Sequence, residues 1–257
     1  MALDPAIAEK IRLLEEKYAA SGQDLKSYLD GLLHADYLTY WDYVHLDTLL
    51  SLQTPRTKFP DETIFIVYHQ ITELYFKLCR HELDQISEHP ELTADFMVAR
   101  LGRVNRYFEA LTFSFDIMSD GMEQEQFLQY RMSLLPASGF QSAQYRMIEI
   151  GSTDFINLVE KDERKHFSNP SVDNVPEMFE WLYWKKGATE LATGKKTLTL
   201  RQFEDKYAEP FMQLARKRWD NNIWARYRSL PANDQQREDL RLALRKLDVQ
   251  VNINWPL

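Results

Sequence analysis

The sequence predicts an all-α fold, a single-domain helical bundle spanning residues 1–257, and three observations predict it. Only 8 glycines and 10 prolines occur in 257 residues, few for a turn-rich β protein. Apolar residues recur at spacings of three and four through nearly every long segment, the period of an amphipathic helix. The longest such run, Asp61–Leu83, contains no glycine or proline. With 44% hydrophobic and 27% charged residues the chain has enough apolar surface for a sizeable core.

In chain order, Pro5–Ala20 is a helix with Ile7, Ile11, Leu14 and Tyr18 on one face and polar residues elsewhere, so it packs by one edge. Gly22 ends it, and Leu25–Leu33 is a second, short helix. Leu38–Gln53 (LTYWDYVHLDTLLSLQ) reads as an aromatic-rich helical turn carrying Tyr40 and Tyr43. Thr54–Pro60 is a loop with two prolines.

The central helix begins at Asp61, its expected N-cap, and stops at His89-Pro90. Ile64, Val67, Ile71, Leu74 and Leu78 form one apolar stripe, with Phe65, His69, Thr72 and Phe76 beside it. The polar face is narrow, with the pairs Glu73–Lys77 and Arg80–Asp84 four residues apart. Such a helix is expected to be buried on most sides, with the His69 imidazole projecting inward beside Phe65.

Glu91–Met118 is a further helix, broken by Ser119-Asp120-Gly121. Gln124–Leu134 is a shorter one, followed by a turn at Pro136–Gly139 and another helix. Asp162–Pro176 reads as a surface loop, and Lys185–Lys196, with two glycines and four lysines, as an exposed connection. Leu198–Arg218 is helical with Phe203, Tyr207, Phe211, Leu214 and Trp219 on its inner edge. Gln236–Val251 fits a helix on Leu240, Leu244, Leu247 and Val251. The alternation of Leu247, Val249, Val251, Ile253 and Trp255 fits a strand as well.

Composition excludes several function classes. A net charge of -8 disfavours nucleic acid and anionic membranes as partners. One cysteine, Cys79, excludes an internal disulfide and suits a reducing compartment. No signal-like h-region and no apolar run of membrane-spanning length is present, which makes a cytoplasmic location the expectation. There is no P-loop, no G-x-G-x-x-G, no G-x-S-x-G and no Cys/His cluster with zinc spacing.

The residues left to carry chemistry are few. His69 is either a core histidine bonded to a backbone carbonyl or a pocket residue; Glu73 follows it by four residues, but no second histidine completes a metalloprotease pattern. Arg131 stands among apolar residues and needs an anion, either an internal carboxylate or a substrate's carboxylate. Ser138 with Gln141 forms a capping-box pattern, S-x-x-Q, which leaves room for a hydroxyl facing a pocket. His166 lies in a charged, solvated run; His34 and His89 fall near element ends; His81 borders the charged face; His45 follows the aromatic turn.

Three motifs in this order, LTYWDYVHLDTLLSLQ, DETIFIVYHQITELYFKL and QYRMSLLPASGFQSAQYRMIE, resemble the tryptophan 2,3-dioxygenase family. The resemblance is strong from about Leu38 to Glu149 and faint beyond, and the combination of HQ-x-x-EL with SGFQS-x-QYR is specific. It implies a helical, tetrameric, haem-dependent enzyme that inserts O2 across the indole C2–C3 bond of L-tryptophan. The product is N-formylkynurenine, the entry to the kynurenine pathway of tryptophan catabolism. Haem b with its iron is the implied cofactor, and L-tryptophan, O2 and copies of the chain are the implied partners.

The resemblance also implies roles. His69 matches the catalytic histidine that bonds the indole N–H, and Phe65 the aromatic against the indole ring, near the haem. Arg131 matches the arginine on the substrate carboxylate, and Ser138 a hydroxyl near haem and His69. Tyr40 matches a pocket tyrosine, whereas Tyr43 and Val44 match residues that reach a neighbouring subunit's pocket. The one-edged helices of residues 1–35 are expected at a subunit contact.

Some positions depart from the family. Phe127 stands where the family often has a carboxylate-binding tyrosine, Phe115 where it often has tryptophan, and the glycine-rich segment over the substrate ammonium is absent. No histidine matches the iron's proximal ligand, which is expected shortly beyond Leu257; the apolar run ending in Trp255 gives the expectation that Leu257 is not the natural terminus. Two rivals stay open: a haem-dependent monooxygenase of a related aromatic amino acid, and a non-catalytic helical protein that binds a small aromatic acid.

Overall fold

The computed structural model describes residues 4–35, 39–134, 141–189 and 195–254. The chain divides into two compact units, Met1–Gln53 and Thr54–Leu257. No strand occurs among the described residues, only two isolated bridges, Val159 with Leu182 and Thr189 with Lys196.

The first unit is a helical hairpin followed by two short helical turns. Helix α1 (Pro5–Ala20) starts on Asp4, whose carboxylate accepts from the Ala6 N–H. It ends at Gly22, whose φ of 70° is the left-handed conformation that glycine adopts without a Cβ clash. Helix α2 (Leu25–Leu33) is capped by Asp24 and meets α1 through stacked Tyr18 and Tyr28, 4.4 Å between centroids. Helices α3 (Tyr40–Tyr43) and α4 (Leu46–Leu50) complete the unit, separated by His45 in the left-handed region. No residue of α1 is buried, and Leu25 is the buried residue of α2.

The second unit is built on α5 (Asp61–Glu88), which packs against α6 (Ala94–Ser114) and α9 (Ala143–Ser152). A short α7 (Asp116–Ser119) and α8 (Gln124–Tyr130), continued by a 3-10 turn Arg131–Leu134, lie between them in sequence. After α9 come α10 (Val175–Glu180), α11 (Tyr183–Gly187), α12 (Leu198–Lys217), α13 (Ile223–Ser229) and α14 (Asp234–Val249). Helix α14 packs on α6 and runs into a π-turn over Gln250–Asn254, so this segment is helical and the strand reading is excluded.

Two cores result, and α9 joins them. Tyr145 and Ile148 point into a core with Phe76, Leu83, Met97, Leu101 and Phe108; Ala143 and Ile150 point into another with Val175, Phe179, Phe203 and Phe211. A helix buried on two sides must satisfy its polar groups internally. Arg146 and Glu149, both buried, do so as an ion pair at 2.7 Å, and the Tyr183 hydroxyl donates to Glu149 at 2.5 Å. Burial and that carboxylate push the Tyr183 phenol up to about 12.

The structure corrects several expectations. The stripe Ile71, Leu74 and Leu78 is exposed; the buried face of α5 is Tyr68, Thr72, Phe76, Cys79, Leu83 and Ile86. The pairs Glu73–Lys77 and Arg80–Asp84 give way to tertiary partners. Gln144 donates to the Glu73 carboxylate at 2.9 Å, and Asp84 pairs with Arg218 at 2.5 Å. Asp61 is the first residue inside α5 and Pro60 holds the cap position. The segment Asp162–Pro176 is not all surface loop: it contains 3-10 turns at Arg164–His166 and Val172–Asn174 and buries Phe167 and Val175. Lys185 is buried rather than exposed, 2.7 Å from Glu204 and 3.7 Å from the Phe179 ring centroid; burial lowers its pKa against the pull of Glu204. The inner edge of α12 stands, with Phe203 and Phe211 buried and Tyr207 and Leu214 packed beside them.

Candidate functional site

The first turns of α5 and the arm made by α8 come together around one aromatic cluster. Phe65 and His69 are one turn apart, with ring centroids 4.0 Å apart. Phe127 lies 6.3 Å and Tyr130 6.1 Å from the Phe65 ring, and Phe127 meets Tyr130 edge-on at 5.6 Å. These are the offset and T-shaped arrangements that ring quadrupoles prefer. Tyr130 is the buried keystone, with Phe59 at 6.4 Å on its other side.

His69 Nδ1 lies 2.7 Å from the Phe65 carbonyl oxygen. A carbonyl can only accept, so Nδ1 carries a proton, and in the neutral ring Nε2 keeps its lone pair. In that form the ring offers an acceptor. The bond is the one expected of a core histidine, yet the side chain is exposed, which corrects the inward projection read from the periodicity. The cause is the position of His69 at the margin of the arc that α5 presents to α6 and α9.

Arg131 is exposed as well, which corrects the expectation of a buried arginine. Its guanidinium lies 6.0 Å from the Phe127 ring, and no described carboxylate pairs with it. The internal ion-pair alternative therefore has no support among the described residues, and an accessible cation is left on the rim of the cluster. Phe127 offers its ring and no hydroxyl.

Of the other expected residues, Tyr40, Tyr43 and Val44 belong to the Met1–Gln53 unit, where they begin, end and cap α3; both tyrosines are exposed. Ser138 lies outside the described residues; the cap observed for α9 is Ser142, whose hydroxyl accepts from the Tyr145 N–H. Phe115 stands 6.5 Å from Tyr68, which in turn meets His69 edge-on at 6.2 Å.

Sequence reasoning missed what fastens this cluster. Asp61 and Glu62 are both buried in the first turn of α5. The Asp61 carboxylate accepts from the Glu123 N–H at 2.6 Å, and the Gln126 side chain accepts from the Asp61 N–H at 3.3 Å. These bonds pin the start of α8, and hence Phe127 and Arg131, to the helix that carries Phe65 and His69. Glu62 accepts from Arg56 N, Thr57 N and Thr57 Oγ1 at 2.8, 2.7 and 2.5 Å, closing the loop before α5. Desolvation pushes the Glu62 carboxyl up, but these donors more than offset it and hold the group below the usual carboxylate range. Two acids after Pro60 were a visible signal, legible only as favourable helix-start charges.

The described residues fit one side of a haem-containing pocket: flat aromatic faces, one imidazole acceptor and one accessible guanidinium. The other histidines of this unit stand apart from the cluster. His81 is on α5 three turns beyond His69, His89 meets the Phe96 ring at a tilt with centroids 4.4 Å apart, and His166 Nδ1 lies 3.1 Å from the Glu163 carboxylate. No group of three or more metal-ligating side chains gathers among the described residues.

Comparison with known proteins agrees with the motifs. A family model described as tryptophan 2,3-dioxygenase matches residues 31–176, which include α5, α8 and α9. A protein named tryptophan 2,3-dioxygenase from Ruegeria sp. (strain TM1040) is 43% identical over 117 residues, 45% of this chain and 41% of its own length. One of the same name from Bacillus thuringiensis subsp. konkukian (strain 97-27) is 34% identical over 165 residues, 60% of this chain and 58% of its own. A third, from Anaeromyxobacter sp. (strain K), is 40% identical over 121 residues, covering 47% and 45%. The chain thus spans about half the length of the curated relatives it matches. On the family match over more than half of its residues, together with the Phe65–His69 and Phe127–Arg131 cluster, this chain belongs to the tryptophan 2,3-dioxygenase family.

Proposed function

We propose that the chain forms the substrate side of a haem-dependent dioxygenase that opens the indole ring of L-tryptophan to N-formylkynurenine. The observation that carries this reading is the His69 hydrogen bond: Nδ1 is committed to the Phe65 carbonyl, which in the neutral ring leaves Nε2 as an acceptor for an indole N–H. Phe65 and Phe127 offer faces for the indole ring, and Arg131 a cation for the carboxylate at the other end. An indole N–H is far too weak an acid for imidazole to deprotonate outright, so His69 orients rather than abstracts. Haem b, when bound, supplies the activation of O2, and the protein supplies orientation and polarity. The iron's axial ligand is assigned to no described residue. Ser138, Tyr40, Tyr43 and Val44 keep, within this proposal, the roles that the family gives them.

The proposal includes a homo-oligomer, a tetramer by family pattern, with residues 1–35 and the Tyr40–Val44 turn at a contact. Support comes from the exposed Ile7, Leu13, Leu32, Leu33, Tyr40 and Tyr43 of a unit that buries almost nothing itself. It also includes a cytoplasmic location; among the described residues no helix is long and apolar enough to cross a membrane.

The test uses the full-length protein. Its absorption spectrum shows whether haem is held, and product analysis with L-tryptophan separates ring opening from hydroxylation of a related amino acid. Arg131→Ala is expected to weaken L-tryptophan by about tenfold, about 1.4 kcal/mol, and to spare indole. The effect is modest because the guanidinium starts exposed. Equal losses for both ligands remove the carboxylate role. A protein that binds the amino acid without haem and yields no product establishes the non-catalytic rival.

A further inference from the structure

The unit Thr54–Leu257 contains a cavity of about 530 Å3 that shares no residue with the His69 cluster. It lies along α9 and α14, away from the first turns of α5. Gln144, at the start of α9, bonds Glu73, whereas Gly151 near its end lies with Leu83 and Ser87. The two helices therefore run side by side in the same direction. Ser152 and Thr153, which line the cavity, lie eight and nine residues beyond Gln144, which places them roughly 18–20 Å from His69 along the helix axis at 1.5 Å per residue. The volume is within the range of about 300–1,000 Å3 common for small-molecule sites.

One wall is a flat aromatic slab. Trp224 and Tyr227 on α13 stack with centroids 5.3 Å apart and planes 28° apart. The slab is held from behind. Arg237 donates to the Tyr227 and Leu230 carbonyl oxygens at 2.8 and 2.7 Å and sits 5.0 Å from the Tyr227 ring. Arg228, bonded to Asp154 at 3.0 Å, sits 5.9 Å from the Trp224 ring. The facing wall is aliphatic, from Leu244, Leu247 and Val251. A rigid ring on one side and branched chains on the other make a slot for a flat apolar body, already ordered before anything binds.

The charged groups lining the slot are nearly all committed elsewhere. Glu149 is engaged by Arg146 and Tyr183, at 2.7 and 2.5 Å. Arg241 is paired with Glu238, and the Asp248 carboxylate accepts from Asn252 at 2.8 Å. Arg245 is the exception, since no hydrogen bond or ion pair ties it to any described residue. The unmet demand in the cavity is thus for an acceptor beside a flat apolar surface. Asp248, three residues from Arg245, opposes a second negative charge.

We propose that this cavity binds a small, flat, singly charged aromatic carboxylate, with its ring against Trp224 and Tyr227 and its carboxylate on Arg245. The site is independent of the His69 cluster. Calorimetry of the full chain with 2-naphthoate, and with neutral 2-naphthamide as the matched control, tests it. Naphthoate should bind about tenfold tighter than naphthamide. Arg245→Gln should abolish that preference without weakening naphthamide, and Trp224→Ala should weaken both probes. Both side chains reach solvent, so the variants keep the fold, and a thermal melt verifies it. His69→Ala should change neither affinity. Equal affinity for the two probes, no heat of binding at millimolar naphthoate, or naphthoate binding that Arg245→Gln preserves and His69→Ala destroys would each overturn the proposal. The last outcome would move the ligand to the His69 cluster and leave the dioxygenase reading standing.

Discussion

From Thr72 to Ser87, α5 turns Phe76, Cys79, Leu83 and Ile86 into a core against α6 and α9. From Asp61 to His69 the same helix, with the same period, buries only Asp61, Glu62 and Tyr68 and leaves Phe65 half-buried and His69 exposed. The first half is held by hydrogen bonds donated to two carboxylates, the second by apolar packing. Packing tolerates no reaching side chains, because every neighbouring volume is filled. A helix end fastened by polar clips can be rigid and still present its rings and its imidazole outward. This division lets one element be both scaffold and candidate site.

The largest effect should come from the packed half. Phe76 is fully buried, with Phe108 at 6.1 Å and Tyr145 at 5.4 Å. Phe76→Ala is expected to cost about 3–5 kcal/mol in denaturant unfolding, the range for a large buried aromatic replaced by alanine. A loss below about 1 kcal/mol would mean that α5 has no packed half, and the comparison would collapse.

A smaller, more local effect is expected at the clip. Asp61→Ala removes the acceptor of the Glu123 N–H, a part-buried bond worth about 0.5–1.5 kcal/mol. Amide exchange should quicken at Glu123 and through Phe127–Tyr130 while Phe76–Leu83 stays protected. Asp61→Asn, which keeps a carbonyl acceptor, should restore most of that protection. Uniform acceleration along all of α5 would show that Asp61 supports the whole helix rather than the arm.

The second clip sharpens the comparison through pH. The folded Glu62 carboxyl lies below its ordinary range, because the Thr57 and Arg56 donors more than offset desolvation. Its contribution is therefore complete above the unfolded carboxylate range and is lost as pH falls through the lower folded value. Glu62→Gln should flatten the acid limb of the stability profile below about pH 4 and change little near neutrality beyond a constant offset. An unchanged acid limb would leave the loop closure without electrostatic content.

How legible these features were follows from what periodicity encodes. The bounds of α1 and α2, the stop of α5 at His89 and the inner edge of α12 were all readable, because caps, breakers and 3.6-residue spacing act locally. The buried face of α5 was not. Its sequence carries two apolar arcs, and Ile71, Leu74 and Leu78 are as hydrophobic as the arc that α6 and α9 cover. Only tertiary packing chooses between them. The partners of Glu73 and Asp84 were hidden for the same reason, since Gln144 and Arg218 lie far away in sequence. At the candidate site the identity of His69, Phe65 and Arg131 came from motif resemblance. Their exposure, the tautomer and the Asp61 clip needed coordinates.

The smallest expected effect is at the residue with the largest proposed role. His69 is exposed, and its one strong contact is the bond from Nδ1 to the Phe65 carbonyl oxygen of its own helix. That oxygen can be solvated at a half-buried position, and no cavity opens when the ring is removed. His69→Ala should therefore change unfolding stability by no more than about 0.5 kcal/mol, as at an ordinary surface site. The variant does lose the Nε2 acceptor. Relative affinity for indole over 1-methylindole should fall towards unity, because only the first has an N–H to donate. Stability and selectivity separate here in a way that Phe76→Ala cannot imitate, since a core lesion weakens every ligand together. A drop in unfolding midpoint comparable to that of Phe76→Ala would place His69 in the core after all, and the first half of α5 would then be packed like the second.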